Sequence, residues 1–98
     1  MGNENEEIRV KQNQEVIREY LIGQFKGFEL TDTPDRPLSH MFTVTKSSEE
    51  QYKLKVSWPQ ISDRSNTPVK IKQLLVTHDV ASRMRATSQG EYFAWGKH

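Results

Sequence analysis

Histidine and carboxylate are the first residue types to test for chemistry, and this chain holds imidazoles only at His40, His78 and His98. His78 is followed by Asp79, which invites comparison with a catalytic base and its orienting carboxylate. On a helix, successive side chains point about 100° apart, so Asp79 cannot hold the His78 ring in that way. No histidine stands at a metal-ligand spacing such as HxxxH or beside a nucleophile at a strand-to-helix elbow. Glu29, Asp32 and Asp35 gather around the stretch TDTPDRP, but carboxylates do acid–base work only where a cleft shifts their pKa values. In a proline-rich setting they read as solvated turn residues. The glycines at 2, 23, 27, 90 and 96 are too scattered to form a phosphate loop. With no cysteine, thiolate, disulfide and cysteine–metal chemistry are all excluded. Nothing converges into a catalytic set, so a non-enzymatic role with no cofactor and no metal is expected.

The residues suited to binding are cations and aromatics. In YKLKVSW, residues 52 to 58, Tyr52, Leu54, Val56 and Trp58 alternate with Lys53, Lys55 and Ser57. A half-buried strand with this pattern turns its lysines away from the core, beside Thr43, Thr45 and Lys46 of a neighbouring strand. Lys70 and Lys72 mark the first turn of a helix, and Arg83 and Arg85 its last turn, where they also complement the negative end of the helix dipole. The tail GEYFAWGK adds Tyr92, Phe93, Trp95 and Lys97.

Exposed Tyr, Trp and Arg are the types that most often anchor interfaces. The expected function is therefore that of a small adaptor contacting a protein partner through the basic C-terminal helix and aromatic tail, with Lys53, Lys55, Lys70, Lys72, Arg83, Arg85, Tyr92, Trp95 and Lys97 as contact residues. A nucleic-acid binder using the same residues is the alternative, its cations on phosphates and its rings stacked on bases. A strand-like EYFAW adding to an exposed sheet edge would also make a homodimer by strand addition.

These residues need elements to position them. The 98 residues suffice for one core only. Apolar residues are 34% of the chain and mean hydropathy is −0.82, so that core must be thin. Residues 1 to 11 are polar and acidic and read as a flexible leader, with a single α+β domain over 12–98. Ile17, Tyr20, Leu21 and Phe25 recur at helical spacing after Asn13, which suits an N-cap; the spacing predicts a helix over 13–25. TDTPDRP reads as a loop. Leu38, His40, Phe42 and Val44 then form one side of a strand, followed by the strand at 52–58.

Thr67-Pro68 is a helix-start signal, and Ile71, Leu74, Leu75, His78 and Ala81 form a stripe that predicts one helix over about 68–86. The local alternation of VKIKQLLV leaves the other reading, in which a break at Thr77, His78 and Asp79 splits a strand over 69–76 from a shorter helix. The fold class is α+β: an N-terminal helix, a two- to three-stranded antiparallel meander, a C-terminal helix packed on the same face of the sheet, and a short strand from the tail aromatics. In the tail, Phe93 and Trp95 are expected against the body, with Tyr92 outward beside Arg83 and Arg85.

This order of elements resembles the layout of double-stranded-RNA-binding domains. In that family lysines cluster at the start of the second helix and a histidine lies in the loop between the first two strands. The matching places here hold Lys70 and Lys72, and His40 after Pro37. The family's glycine-rich turn, alanine-rich second helix and third lysine have no counterpart, so the resemblance implies shared layout alone.

Residues 1–63 carry 8 Lys and Arg against 11 Asp and Glu, and residues 64–98 carry 6 against 2. This gives a basic C-terminal third and a weak pointer to an acidic partner. No run approaches the roughly 20 apolar residues of a membrane span, so a soluble, cytoplasmic protein is expected.

Overall fold

Helix α1 (Gly2–Gln24) opens the fold in a computed structural model that describes residues 2–35, 38–88 and 90–96. Its 23 residues span about 34 Å at 1.5 Å per residue. Asn13, Ile17 and Leu21 repeat every fourth residue on its buried side, and Phe25 continues the row just past its end. The leader and the start at Asn13 are both corrected, since the helix already runs from Gly2.

The reason lies across the molecule. Arg9 donates from its guanidinium to the carbonyls of Ser62 (2.6 Å), Asp63 (2.7 Å) and Asn66 (3.3 Å). Asn13 is no cap: it lies fully buried in mid-helix, its Nδ2 donating to the carbonyls of Ile61 (2.8 Å) and Asn66 (2.7 Å). Those acceptors cluster where the short helix α2 (Trp58–Ser62) ends, and the last carbonyls of a helix have no partner of their own. The polar N-terminal half of α1 thus supplies donors to a distant helix end.

Three antiparallel strands follow, β1 (Glu29–Asp35), β2 (Ser39–Ser47) and β3 (Glu50–Ser57), in chain order across the sheet. β1 corrects the expected loop. It is an edge strand, where a proline such as Pro34 is tolerated because one side of the ladder needs no donor. Strand β4 (Phe93–Trp95) adds to the far edge, parallel to β3, pairing Leu54 with Phe93 and Val56 with Trp95. A parallel partner requires a long crossover, supplied by the helical segment between them.

That segment is not one helix. α3 (Pro68–Thr77) starts as expected, with Thr67 Oγ1 accepting from Lys70 N and Pro68 in the first turn. It stops before Asp79, whose left-handed backbone (φ 50°, ψ 52°) redirects the chain into α4 (Val80–Arg85). Aspartate is among the few residues that enter this region readily. Tertiary contacts hold the break. The Tyr20 hydroxyl accepts from Ala81 N (3.1 Å), Arg83 Nε donates to His78 O (2.9 Å), and Trp95 Nε1 donates to His78 Nδ1 (2.9 Å). With the bend in place, Val80, Ala81 and Met84 bury alongside Ile71 and Leu75.

The core lies between the helices and one face of the sheet, formed by Phe42, Val44, Leu54, Val56 and Trp95. The N-terminal and C-terminal helices therefore share a face, in an α+β fold. Trp58 corrects another expectation. The strand ends at Ser57, whose Oγ accepts from Gln60 N (3.3 Å), so Trp58 opens α2 instead and is 37% exposed. No helix among the described residues is long and apolar enough to cross a membrane.

Candidate partner-binding face

Directly paired residues on neighbouring strands point to the same side, so the register sorts the sheet into two faces. The outer face carries Glu29, Thr45 and Gln51 in one row, Thr31, Thr43 and Lys53 in the next, and Thr33, Met41, Lys55 and Ala94 in the third. Side-chain contacts follow the same assignment. Gln51 Nε2 donates to Thr45 Oγ1 (3.0 Å), and Lys55 Nζ reaches across β2 to Asp35 Oδ2 (3.5 Å). Met41, Thr43, Thr45, Lys53 and Lys55 are half-buried and Thr31 and Thr33 exposed, and the core helices lie against the opposite face.

Lys53 and Lys55 thus stand where the alternation of β3 predicts, beside the threonines of β2. Lys55 sits 5.0 Å from the centre of the Tyr92 ring, a cation over an aromatic face. Tyr92 points outward with 46% exposure, but its cation is Lys55 and not Arg83 or Arg85. The arginines are engaged elsewhere. Arg83 lies over Phe93 (5.9 Å), while Arg85 lies over Phe25 (4.4 Å) and donates to Gln24 O at the end of α1. Lys70 and Lys72 are exposed on α3, in the helix layer on the other side of the sheet from Lys53 and Lys55. Trp95, expected both against the body and as a contact, is 4% exposed and belongs to the core. Lys97 lies outside the described residues.

The cations named from sequence therefore do not share one surface. Lys53, Lys55 and Tyr92 come together on the outer sheet face. The tryptophan that does reach the surface is Trp58, which borders a shallow groove of about 520 Å³ against Val10, Lys11 and Gln14 of α1. A signal for this was present in Ser57-Trp58-Pro59: a cap residue followed by proline within the first helical turn.

On the inner face, Asp32 corrects the reading of its segment as solvated turn chemistry. Arg18 grips it with two bonds, Nε to Oδ1 (2.9 Å) and Nη2 to Oδ2 (2.8 Å), and His40 Nε2 lies 2.7 Å from Oδ2. The Arg18 hydrogen bonds, helped by His40, hold the Asp32 carboxyl down at about 2, against the opposing effect of burial. A carboxylate held so far down is a fixed anion and a weak proton acceptor, which suits a strut between α1 and the sheet better than acid–base work. Among the described residues, no three His, Cys, Asp or Glu side chains gather closely enough to hold a metal ion. No protein-family model, no curated protein and no solved structure matches this chain.

Proposed function

We propose that this chain is a small non-enzymatic binding protein that contacts a protein partner through the outer face of its sheet, with Lys53, Lys55 and Tyr92 as its leading contact residues. One observation carries the reading: the Lys55–Tyr92 pair sits on a sheet face that the core helices leave open, next to a Lys53 with no ion-pair partner among the described residues. Tyrosine offers a rigid amphipathic anchor at low entropic cost, and threonines offer hydroxyls on a flat pleated surface. A cytoplasmic setting accompanies this reading as part of the proposal.

The test is capture of binding partners by full-length protein and by a Lys53→Ala, Lys55→Ala, Tyr92→Ala triple variant of unchanged melting temperature. Loss of partners by the variant is expected, and equal recovery would overturn the reading. Single-stranded nucleic acid is a second reading, favoured by the same lysine and tyrosine on an open sheet, where a base could stack on Tyr92. Titration with labelled oligonucleotides across a salt series separates the two, since phosphate neutralisation gives a steep negative slope.

A further inference from the structure

We propose that the outer sheet face pairs with the same face of a second copy of this chain, in a two-fold dimer whose axis runs along β2. This uses the face assigned above to the partner contact, and so rests on that reading while naming its occupant.

The charges on the face are segregated by strand. Glu29 and Asp35 lie on β1, Lys53 and Lys55 on β3, and between them β2 presents the uncharged Met41, Thr43 and Thr45. Lys55 is already paired with Asp35. Glu29 and Lys53 have no ion-pair partner among the described residues. A two-fold axis along β2 lays β1 of each copy over β3 of the other, so each unpaired glutamate comes within reach of the other copy's unpaired lysine. The same operation keeps the two pairs of lysines on opposite flanks, away from one another. Isologous contacts require this kind of self-complementarity, in which one patch carries both halves of the match. Met41 and Thr43 then meet their own counterparts at the centre, an uncharged core with a charged rim, as interfaces usually have. Methionine is well suited to packing against its twin because its flexible thioether adapts to the shape it meets.

The footprint sets the strength. The three strands that overlap across this axis, β1 to β3, at about 4.8 Å spacing and with seven residues at about 3.3 Å, give roughly 330 Å² for each copy. Pairing two such faces buries on the order of 700 Å², at the low end of weak, reversible association.

Sedimentation analysis of the pure full-length chain, from about 10 μM to about 1 mM, tests the dimer. A reversible monomer–dimer equilibrium that weakens as salt is added is expected. Lys53→Glu and Glu29→Lys should each weaken it by about tenfold, and the two together should recover most of the loss because they restore the match with its sign reversed. Thr43→Lys, which sets two like charges face to face at the axis, should abolish dimerisation and gives an independent arm if either charge reversal fails to fold. A chain that stays monomeric to about 1 mM overturns the proposal. So does a dimer indifferent to all three variants, as pairing along the β4 edge would be. If the chain is monomeric yet the Lys53, Lys55, Tyr92 variant still loses other partners, only the dimer fails and the face keeps its proposed role.

Discussion

Along β3 adjacent residues meet opposite surroundings. Leu54 and Val56 are fully buried against the helices, while Lys53 and Lys55 stand on a face the helices do not cover. The inner face is dense in constraint: Trp95 donates to His78, Asp32 is gripped by Arg18, and Phe42 is wholly enclosed. The outer face holds threonines, two lysines and a tyrosine, with few bonds among them. The contrast teaches that stability and the proposed contact chemistry are separated here by the two-residue period of a strand, so each can be altered with little effect on the other.

The largest effect should come from the inner face at its most enclosed point. Phe42→Ala leaves a cavity at a site with no exposure, and a loss of about 3 to 5 kcal/mol is expected by denaturant unfolding, enough to bring a domain of this size close to unfolding. Gly96 comes next. Its φ of 95° is one that side chains seldom adopt, and an added methyl would collide with Ser57 Oγ and lie 2.9 Å from Gln60 Cβ. Gly96→Ala should therefore cost about 2 kcal/mol. Gly23→Ala is the matched control, in a helix with nothing within 4 Å of the new methyl, and should be neutral or raise stability by up to about 1 kcal/mol.

Asp32 tests the polar part of the inner face through pH. Its carboxyl sits at about 2 in the folded chain, below its ordinary 3.8, so its stabilisation is complete above about pH 4 and is lost as pH falls toward 2. Asp32→Asn should be about 1 to 2 kcal/mol less stable at neutral pH and show a flatter stability profile across that acid window. Smallest in stability are Lys53→Ala, Lys55→Ala and Tyr92→Ala, each expected within about 0.5 kcal/mol of the parent. Those same substitutions should have the largest effect on partner capture. A large loss of stability on the outer face, or a small one at Phe42, would break the comparison.

Much of this fold can be read from local pattern. Strict alternation at residues 52–57 places Lys53 and Lys55 outside, and Thr67-Pro68 marks the start of α3, because strand period and cap chemistry are local physics. The misreadings share a cause. The first eleven residues look like a leader because the partners of Arg9 lie at the end of α2 and in the turn after it, more than fifty residues away in the chain. TDTPDRP looks like a loop because its prolines disfavour strands in general, although an edge strand accommodates Pro34. The helix over 68–86 looks continuous because no glycine or proline interrupts it, and the break at Asp79 is held by Tyr20, Arg83 and Trp95.

For the candidate contact residues the same division holds. The outward facing of Lys53 and Lys55 follows from alternation along one strand, which needs no knowledge of the rest of the chain. That Trp95 is core and Trp58 surface, that Tyr92 meets Lys55, and that Arg83 and Arg85 are occupied at Phe93 and Phe25 depend on how the C-terminal segment returns to β3. Residue types and their spacing decide which side a local element turns to the core; only packing between elements distant in the chain decides which aromatics fill that core and which remain at the surface.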